Sequence, residues 1–234
     1  SNVTIYGRLN MTVESEKFGT ASRSTAVNNN ASRIGFKGTE DLGGGLKAIY
    51  QMETGAFSAD EGGGVLAGRN TFVGFTGGWG TFKAGRIDTP YKELGYKTNR
   101  FIEQVGDARN VMGDGNAATN DSRVGFDARP DNMLRYDSPS FGGAKVSYLY
   151  SNNNNAGGGD DTGTAGQTWN SLSATWQGGP LFLGAAWEQH GKTTAATSTE
   201  ESGIRLVGEY GFNDFTFGLF WESLSDLGGV SGTD

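Results

Sequence analysis

Charged residues with a regular spacing are the part of this sequence that could do chemistry. Basic side chains recur on one face of several stretches in which alternate residues are polar, in the same phase as serine, threonine and asparagine. A row of fixed charges beside water attracts ions of one sign and repels the other. The chemistry indicated is therefore electrostatic selection of ions and solutes, not bond breaking. The basic residues concerned are Arg33, Arg69, Lys83, Arg86, Arg129 and Arg135, and the direction of Arg86 stays open.

Acidic residues fall in two places. Glu53 shares its phase with the basic set, whereas the others lie in a long stretch without alternation. We expect that stretch to face the basic row, because opposed charges across a narrow gap give a transverse field that orders passing solutes. An alternative stays open, in which these charges only solvate an interior and pair with one another. The acids of the irregular stretch are Glu93, Glu103, Asp107 and Asp114.

Alternation of apolar and polar residues predicts the strands that position these charges. Val3, Ile5, Leu9, Met11 and Val13 alternate with polar residues, which indicates a strand with one apolar face. Its length suits a strand that crosses a bilayer at a tilt. The pattern recurs along the chain and predicts about eleven strands. They are placed at residues 2–14, 32–38, 46–53, 69–76, 81–87, 132–137 and 144–150, with four more near 172–176, 181–187, 204–210 and 215–221.

Connections between the predicted strands alternate between short and long, and tyrosine and tryptophan recur at strand ends. Both features are typical of outer-membrane barrels. We therefore predict an all-β fold, a transmembrane antiparallel β-barrel with a wet interior. A soluble β-sandwich also alternates, but it needs neither the loop asymmetry nor the aromatic ends. In such a barrel the basic row and the acids opposite it would form a pore constriction. Its predicted residues are Arg33, Glu53, Arg69, Lys83, Arg86, Glu103, Asp107, Arg129 and Arg135.

Two segments lack the strand pattern. Residues 22–30 are predicted to be a polar loop. Residues 88–127 show no sustained alternation, and they contain a piece near residues 99–104 that is compatible with a helix. A connection this long inside a compact fold is usually functional or disordered. We expect residues 1–234 to belong to one barrel, with residues 88–127 as an inserted constriction loop.

Composition excludes several classes of function. The 234 residues carry 19 basic and 26 acidic side chains, a net charge of −7 that argues against a nucleic-acid partner. There is no cysteine and one histidine, so neither thiol chemistry nor a histidine-based metal site is expected. His190 ends a predicted strand and is expected in an interfacial girdle or a loop. We predict no enzyme activity, no cofactor and no metal.

Several blocks resemble the general trimeric porins of β-proteobacteria. The similarity extends from the N-terminus to at least residue 150 and continues more loosely to Trp221. The block at 32–53 is the specific part, whereas the shorter blocks would be weak alone. The blocks are NVTIYG (2–7), SRIGFKGTEDLGGGLKAIYQME (32–53), RNTFVGF (69–75), GTFKAGR (80–86) and NMLRYDSP (132–139).

The resemblance implies a homotrimer of barrels with about sixteen strands each, so we expect about five strands to lie outside this sequence. The family's third extracellular loop forms the constriction and corresponds to residues 88–127. Its constriction arginines map onto Arg33, Arg69 and Arg135, and its acids onto Glu53 and most nearly Asp107.

The function implied is passive diffusion of ions and small hydrophilic solutes across the outer membrane of a Gram-negative bacterium, with a weak preference for anions. Outer-membrane lipid and lipopolysaccharide are the other expected partners. The alternative is a plugged outer-membrane barrel that acts as an adhesin or a structural protein. Such a barrel would fill its inward phase with bulky side chains, whereas here that phase is rich in threonine, serine, asparagine, glycine and charge.

Overall fold

A computed structural model describes residues 2–17, 22–55, 68–104, 106–108, 125–153, 167–192 and 199–227. Within these ranges the chain forms β-strands and one short helix. The strands are β1 (Asn2–Arg8), β2 (Met11–Glu16), β3 (Ser24–Asn29), β4 (Arg33–Gly43), β5 (Leu46–Gly55), β6 (Thr71–Gly77), β7 (Gly80–Arg86), β8 (Met133–Asp137), β9 (Ala144–Asn153), β10 (Gln167–Gly178), β11 (Leu181–His190), β12 (Glu201–Phe212) and β13 (Phe215–Ser225); the helix is α1 (Pro90–Gly95).

Eleven strands form one antiparallel sheet in the order β1-β4-β5-β6-β7-β8-β9-β10-β11-β12-β13. Apart from the break between β1 and β4, each strand pairs with its neighbour in sequence, as in a meander. The turns at 44–45, 78–79, 179–180 and 213–214 are short and lie at one end of the sheet. The prediction of about eleven barrel strands is confirmed.

The first predicted strand was wrong in one respect, because residues 2–14 form two strands and not one. The amide of Asn10 donates to Ser32 Oγ (2.9 Å), and the amide of Asn30 donates to the carbonyl of Asn10 (2.9 Å). These bonds interrupt the regular ladder between β1 and β4. Beyond the interruption, β2 pairs with β3 in a separate hairpin in which Val13 lies opposite Val27. The predicted polar loop at 22–30 is therefore largely a strand, whose polar composition hid its alternation.

The two faces of the main sheet are inverted relative to a soluble protein. Ile5 and Leu219 on the outer face are 66% and 72% exposed, whereas Arg205 and Glu188 on the inner face are 1% and 0% exposed. Contiguous exposed apolar surface of this kind marks a face that contacts lipid or protein. In the described ranges eleven strands form one sheet with its apolar side chains outside, unlike the two packed sheets of a soluble sandwich.

The segment between β7 and β8 (residues 87–132) is called here the inserted segment, and its described parts lie against the inner face. Its helix α1 packs on β9, β10, β11 and β12. Thr89 caps the helix by accepting a hydrogen bond from the amide of Lys92 (3.1 Å), and Pro90 occupies the first turn, where no amide is needed. The predicted helix at 99–104 was wrong, since those residues form turns. No helix in the described ranges is long and apolar enough to cross a membrane.

The ring of Tyr6 packs on the inner face directly over Gly35, which has no side chain to block it. A Cβ atom at residue 35 would lie 2.4 Å from Tyr6 Cζ, so an alanine there must displace the ring. The displacement would break the bond from the Tyr6 hydroxyl to Glu53 Oε2 (2.8 Å). We expect Gly35→Ala to lower the free energy of unfolding by about 1 kcal/mol, measured by urea unfolding of the folded protein in detergent. Gly55→Ala is the control, because its Cβ would meet nothing within 4 Å. Equal effects of the two variants would contradict the prediction.

Candidate functional site

Three arginines form a row on the inner face at one end of the sheet. Arg8 and Arg33 lie directly opposite each other on β1 and β4, and Arg69 lies just before β6. Like charges directly opposite on paired strands repel each other. The row, called here the arginine row, therefore needs negative charge close by.

Glu103 supplies that charge from the inserted segment. Its carboxylate contacts Arg8 Nη2 at 3.0 Å, Arg33 Nη1 at 2.8 Å and Arg69 Nη2 at 3.4 Å. Glu103 has a backbone φ of +60°, in the left-handed region that residues other than glycine seldom adopt. Strained backbone of this kind persists only where its surroundings hold it. The inserted segment is thus fixed where it meets the arginine row.

Asp107 provides part of this restraint. It accepts hydrogen bonds from the amide of Glu103 (2.6 Å) and from the side chain of Asn99 (2.7 Å). The resemblance maps Asp107 as the constriction acid, but the structure places Glu103 against the arginines and Asp107 behind it. Asp114 lies outside the described residues.

Glu53 is the second acid at the arginine row, and it is supplied by β5. It contacts Arg69 Nε at 2.6 Å and accepts the hydroxyl hydrogen bond of Tyr6. The described row thus holds three guanidinium groups and two carboxylates, which leaves one net positive charge. The low dielectric constant of the protein around a narrow aqueous path concentrates the field of such a charge.

Arg135 and Lys83 lie elsewhere on the inner face. Arg135, 5% exposed, contacts Glu93 Oε2 at 2.6 Å and Asp137 Oδ1 at 2.8 Å, and it donates to the carbonyl of Asp88 (2.9 Å). Lys83 contacts the other oxygen of Asp137 at 2.9 Å. These contacts attach the start of the inserted segment to the wall formed by β7 and β8.

Arg129 and Arg86 attach the end of the segment. Arg129, also 5% exposed, contacts Asp88 Oδ1 at 2.9 Å, and Lys92 contacts the same oxygen at 3.0 Å. Burial alone would raise the pKa of Asp88, but the charges of Lys92 and Arg129 hold it well below its usual range. Arg86 pairs with Asp131. Asp88 thereby ties the two limbs of the inserted segment together.

Comparison with known proteins identifies the family of this chain. The Gram-negative porin family matches the sequence over residues 1–234. This chain belongs to the Gram-negative porin family. It is an outer-membrane protein.

Two curated relatives of this porin come from Neisseria. The major outer membrane protein P.IB of Neisseria lactamica is 31% identical over 227 residues, which cover 90% of this chain and 62% of the relative. The protein of the same name from Neisseria gonorrhoeae is 32% identical over 178 residues, or 73% of this chain and 47% of the relative. The porin sequence therefore spans less than two thirds of the length of these relatives.

Solved structures show the same fold. The anion-selective porin from Comamonas acidovorans matches with a TM-score of 0.74 at 24% identity, covering 95% of this chain and 68% of that one. OmpT of Vibrio cholerae matches with a TM-score of 0.64 at 18% identity, covering 95% and 63%. Both likenesses establish the porin β-barrel as the fold.

A buried network around Arg205 is absent from the sequence prediction. Arg205 contacts both carboxylate oxygens of Asp127 (3.0 and 3.3 Å) and Glu222 Oε1 (2.6 Å). It also donates to the carbonyl of Tyr91 (3.1 Å), whose ring lies 4.1 Å from the guanidinium carbon. Strand phase alone would have placed Arg205 and Glu222 together, since they are directly opposite on β12 and β13. The network joins both limbs of the inserted segment to the porin wall.

His190 lies in a second buried cluster, so its prediction as a girdle or loop residue was wrong. Its ring nitrogens lie 2.6 Å from Glu201 Oε1 and 3.0 Å from Glu188 Oε1. The ring stacks on Trp169, with centroids 3.7 Å apart, and on Phe126 of the inserted segment, 4.6 Å apart. The strand end is buried because the inserted segment covers it.

Proposed function

We propose that the full-length protein is a general diffusion porin, which passes ions and small hydrophilic solutes across the outer membrane. The observation that carries this proposal is the bridge from Glu103, at the inserted segment, to the arginine row on the inner face of the sheet. Such a bridge fixes a charged segment inside the lumen of a porin fold. Membership of a channel family supports passive transport over catalysis.

The constriction follows from the same contacts. Charged residues that line it are Arg8, Arg33, Arg69, Glu53 and Glu103, and Asp107 positions Glu103. The buried Arg129 and Arg135, with Lys83 and Arg86, hold the segment in place and do not touch solute. One net positive charge at the lining favours a weak preference for anions. The solved relative from Comamonas acidovorans is an anion-selective porin.

Assembly as a homotrimer in lipid and lipopolysaccharide is also part of the proposal. Its support is the resemblance of the sequence to trimeric porins, together with the apolar outer face of the early strands, where Val3 and Ile5 are exposed. An apolar face of this kind can contact either lipid or a second copy. Counting channels per insertion event distinguishes a trimer from a monomer.

Single-channel recording of the full-length protein in a planar bilayer tests the proposal. We expect steps of conductance that open in threes, and a reversal potential in a salt gradient with the sign of weak anion preference. Folded, inserted protein that conducts nothing would overturn the diffusion porin and favour the plugged, adhesive barrel. A cation-selective reversal potential would overturn the assignment of the constriction charge.

Glu103→Gln tests the role of the bridge. The variant removes one of the two carboxylates at the arginine row, so its net charge rises by one. A unit charge about 8 Å away in water contributes roughly 0.5 kcal/mol. The change favours an anion and disfavours a cation by this amount each, so we expect the anion-to-cation permeability ratio to rise by about fivefold, measured from reversal potentials.

Glu40→Gln, on the outer face of β4, is the control for this measurement. It makes the same change of charge near the short turn between β4 and β5, away from the arginine row. The role of Glu103 would be contradicted if the two variants shifted the reversal potential equally.

A further inference from the structure

A second group of charges lies where the inserted segment meets β12. Lys97 Nζ contacts Glu209 Oε1 at 3.1 Å, and Arg100 Nη2 contacts Glu209 Oε2 at 2.5 Å. Lys97, Arg100 and Glu103 follow one another at intervals of three residues. The first two contact β12 and the third contacts the arginine row, so the segment presents charge in two directions.

This second group borders a cavity of about 250 Å³ between the inserted segment and the inner faces of β12 and β13. Thr98, Arg100, Glu209, Thr216, Gly218 and Phe220 are among its lining residues. Gly218 lets the inserted segment lie close to β13, since a Cβ atom at residue 218 would be only 3.1 Å from Thr98 Cγ2. The volume is below the roughly 300–1,000 Å³ of sites for drug-sized ligands, so the cavity fits a small molecule.

The charges of the cavity favour an anion. Among the described residues, Arg100 and Glu209 line the cavity, and Lys97 contacts Glu209 from beside the lining. These two cations and one carboxylate leave one net positive charge. The Arg100 side chain is 61% exposed and the Lys97 side chain 36%, whereas Glu209 is 13% exposed. A guanidinium has five N–H donors and an ammonium has three, so both cations can bind a second acceptor while they hold Glu209.

Aromatic surface gives the cavity a second property. Phe220 lines it directly, and the ammonium of Lys97 lies 4.8 Å from the ring centre of Phe182 on β11. A ligand that joins a carboxylate to a flat apolar body would use both the cations and the ring. An inorganic anion would use the cations alone.

We propose that Arg100 and Phe220, with Lys97 beside them, form a solute-binding site for small aromatic carboxylates inside the lumen, separate from the arginine row. The site rests on the proposed function in one respect, because a solute reaches it through a conducting lumen. Glu209 positions the two cations and weakens the net charge that the solute meets.

Benzoate is the probe, with acetate and phosphate for comparison. Each is added to one side of a bilayer that holds the full-length protein, and the concentration that halves the single-channel current is measured. We expect benzoate to act at a lower concentration than acetate or phosphate. Arg100→Ala should raise the half-blocking concentration of benzoate by about fivefold. Glu209→Gln should lower it, because both cations lose their partner.

Two further variants separate the parts of the site. Phe220→Leu should weaken the block by benzoate and leave the block by acetate unchanged. Lys47→Ala is the control, since Lys47 is another inner-face lysine near the short-turn end, on β5, and does not line the cavity. Equal effects of Arg100→Ala and Lys47→Ala, or equal block by benzoate and phosphate, would overturn the proposal.

Calorimetric titration of benzoate into the folded protein in detergent separates this proposal from the diffusion porin. Conductance steps without an Arg100-dependent block would overturn the site and leave the porin function intact. A lack of conductance steps would overturn the porin function, and the calorimetric titration would then test whether the benzoate site exists. Binding that Arg100→Ala weakens would support it, and absent binding would overturn it.

Discussion

Arg205→Met is expected to release the inserted segment from the wall formed by β12 and β13. The substitution keeps an apolar stem but leaves Asp127 and Glu222 buried without their cation. Removing one partner of a buried ion pair costs about 3–5 kcal/mol. We expect a loss of that order in the free energy of unfolding, measured with urea in detergent, together with a noisier open-channel current.

Matched variants distinguish the effect of breaking the Arg205 network from the effect of losing any one positive charge. Arg100→Met removes an arginine from an exposed pair with Glu209, where the expected cost is about 1 kcal/mol or less. Arg205→Lys keeps the charge but loses the planar guanidinium that binds both oxygens of Asp127. Its loss of unfolding free energy should therefore lie between those of Arg205→Met and Arg100→Met. An Arg205→Met variant no less stable than Arg100→Met would contradict the role of the network.

A rescue sharpens this prediction. Asp127→Asn and Glu222→Gln, added to Arg205→Met, remove the two buried charges that the single variant leaves behind. Most of the cost of breaking a buried pair is the unpaired charge and not the lost contact. The triple variant should therefore recover at least half of the lost stability, and no recovery would show that packing by the arginine stem dominates.

Strand phase made the wall of the lumen predictable. Side chains alternate between faces with a period of two, so Arg33 and Glu53 fall on one face wherever their strands form. The structure has them on the inner face, where Glu103 contacts Arg33 and Arg69 contacts Glu53. The same rule applies to Arg205 and Glu222, which were missed although their strands were predicted.

The inserted segment was less predictable because it has no period. The place of Glu103 depends on a left-handed backbone and on a hydrogen bond to Asp107, and neither leaves a signal in the spacing of residues. The start of helix α1, in contrast, has a signal in the sequence. Thr89 followed by Pro90 is a recognised start of a helix, and it lies nine residues before the stretch that was favoured.

Burial of charge inside the lumen was also hidden from the sequence. Arg129 and Arg135 have the phase of residues that line water, yet both are almost fully buried by the segment that they hold. His190 was misplaced for the same reason. Its position at the end of β11 indicates an interface, but Phe126 covers it, and Phe126 is far away in sequence. Such contacts depend on the path of the inserted segment.

His190→Leu is the second variant with a large expected effect. Both ring nitrogens face carboxylates, and only an imidazolium can donate to two acceptors, since a neutral ring has one N–H. The substitution removes the imidazolium that lies between the buried carboxylates of Glu188 and Glu201. Among the described residues, Tyr91 is a titratable neighbour of Glu188, and Arg205 is already paired with Asp127 and Glu222. We expect a loss of about 3–5 kcal/mol in urea unfolding.

Two comparisons divide this effect between charge and stacking. His190→Phe keeps a ring against Trp169 and Phe126 but carries no proton, so it should be nearly as unstable as His190→Leu if charge dominates. Adding Glu188→Gln and Glu201→Gln to His190→Leu should then restore stability, because no buried charge remains unpaired. Restoration by the phenylalanine alone would instead show that stacking on Phe126 is what holds the end of the inserted segment against β11.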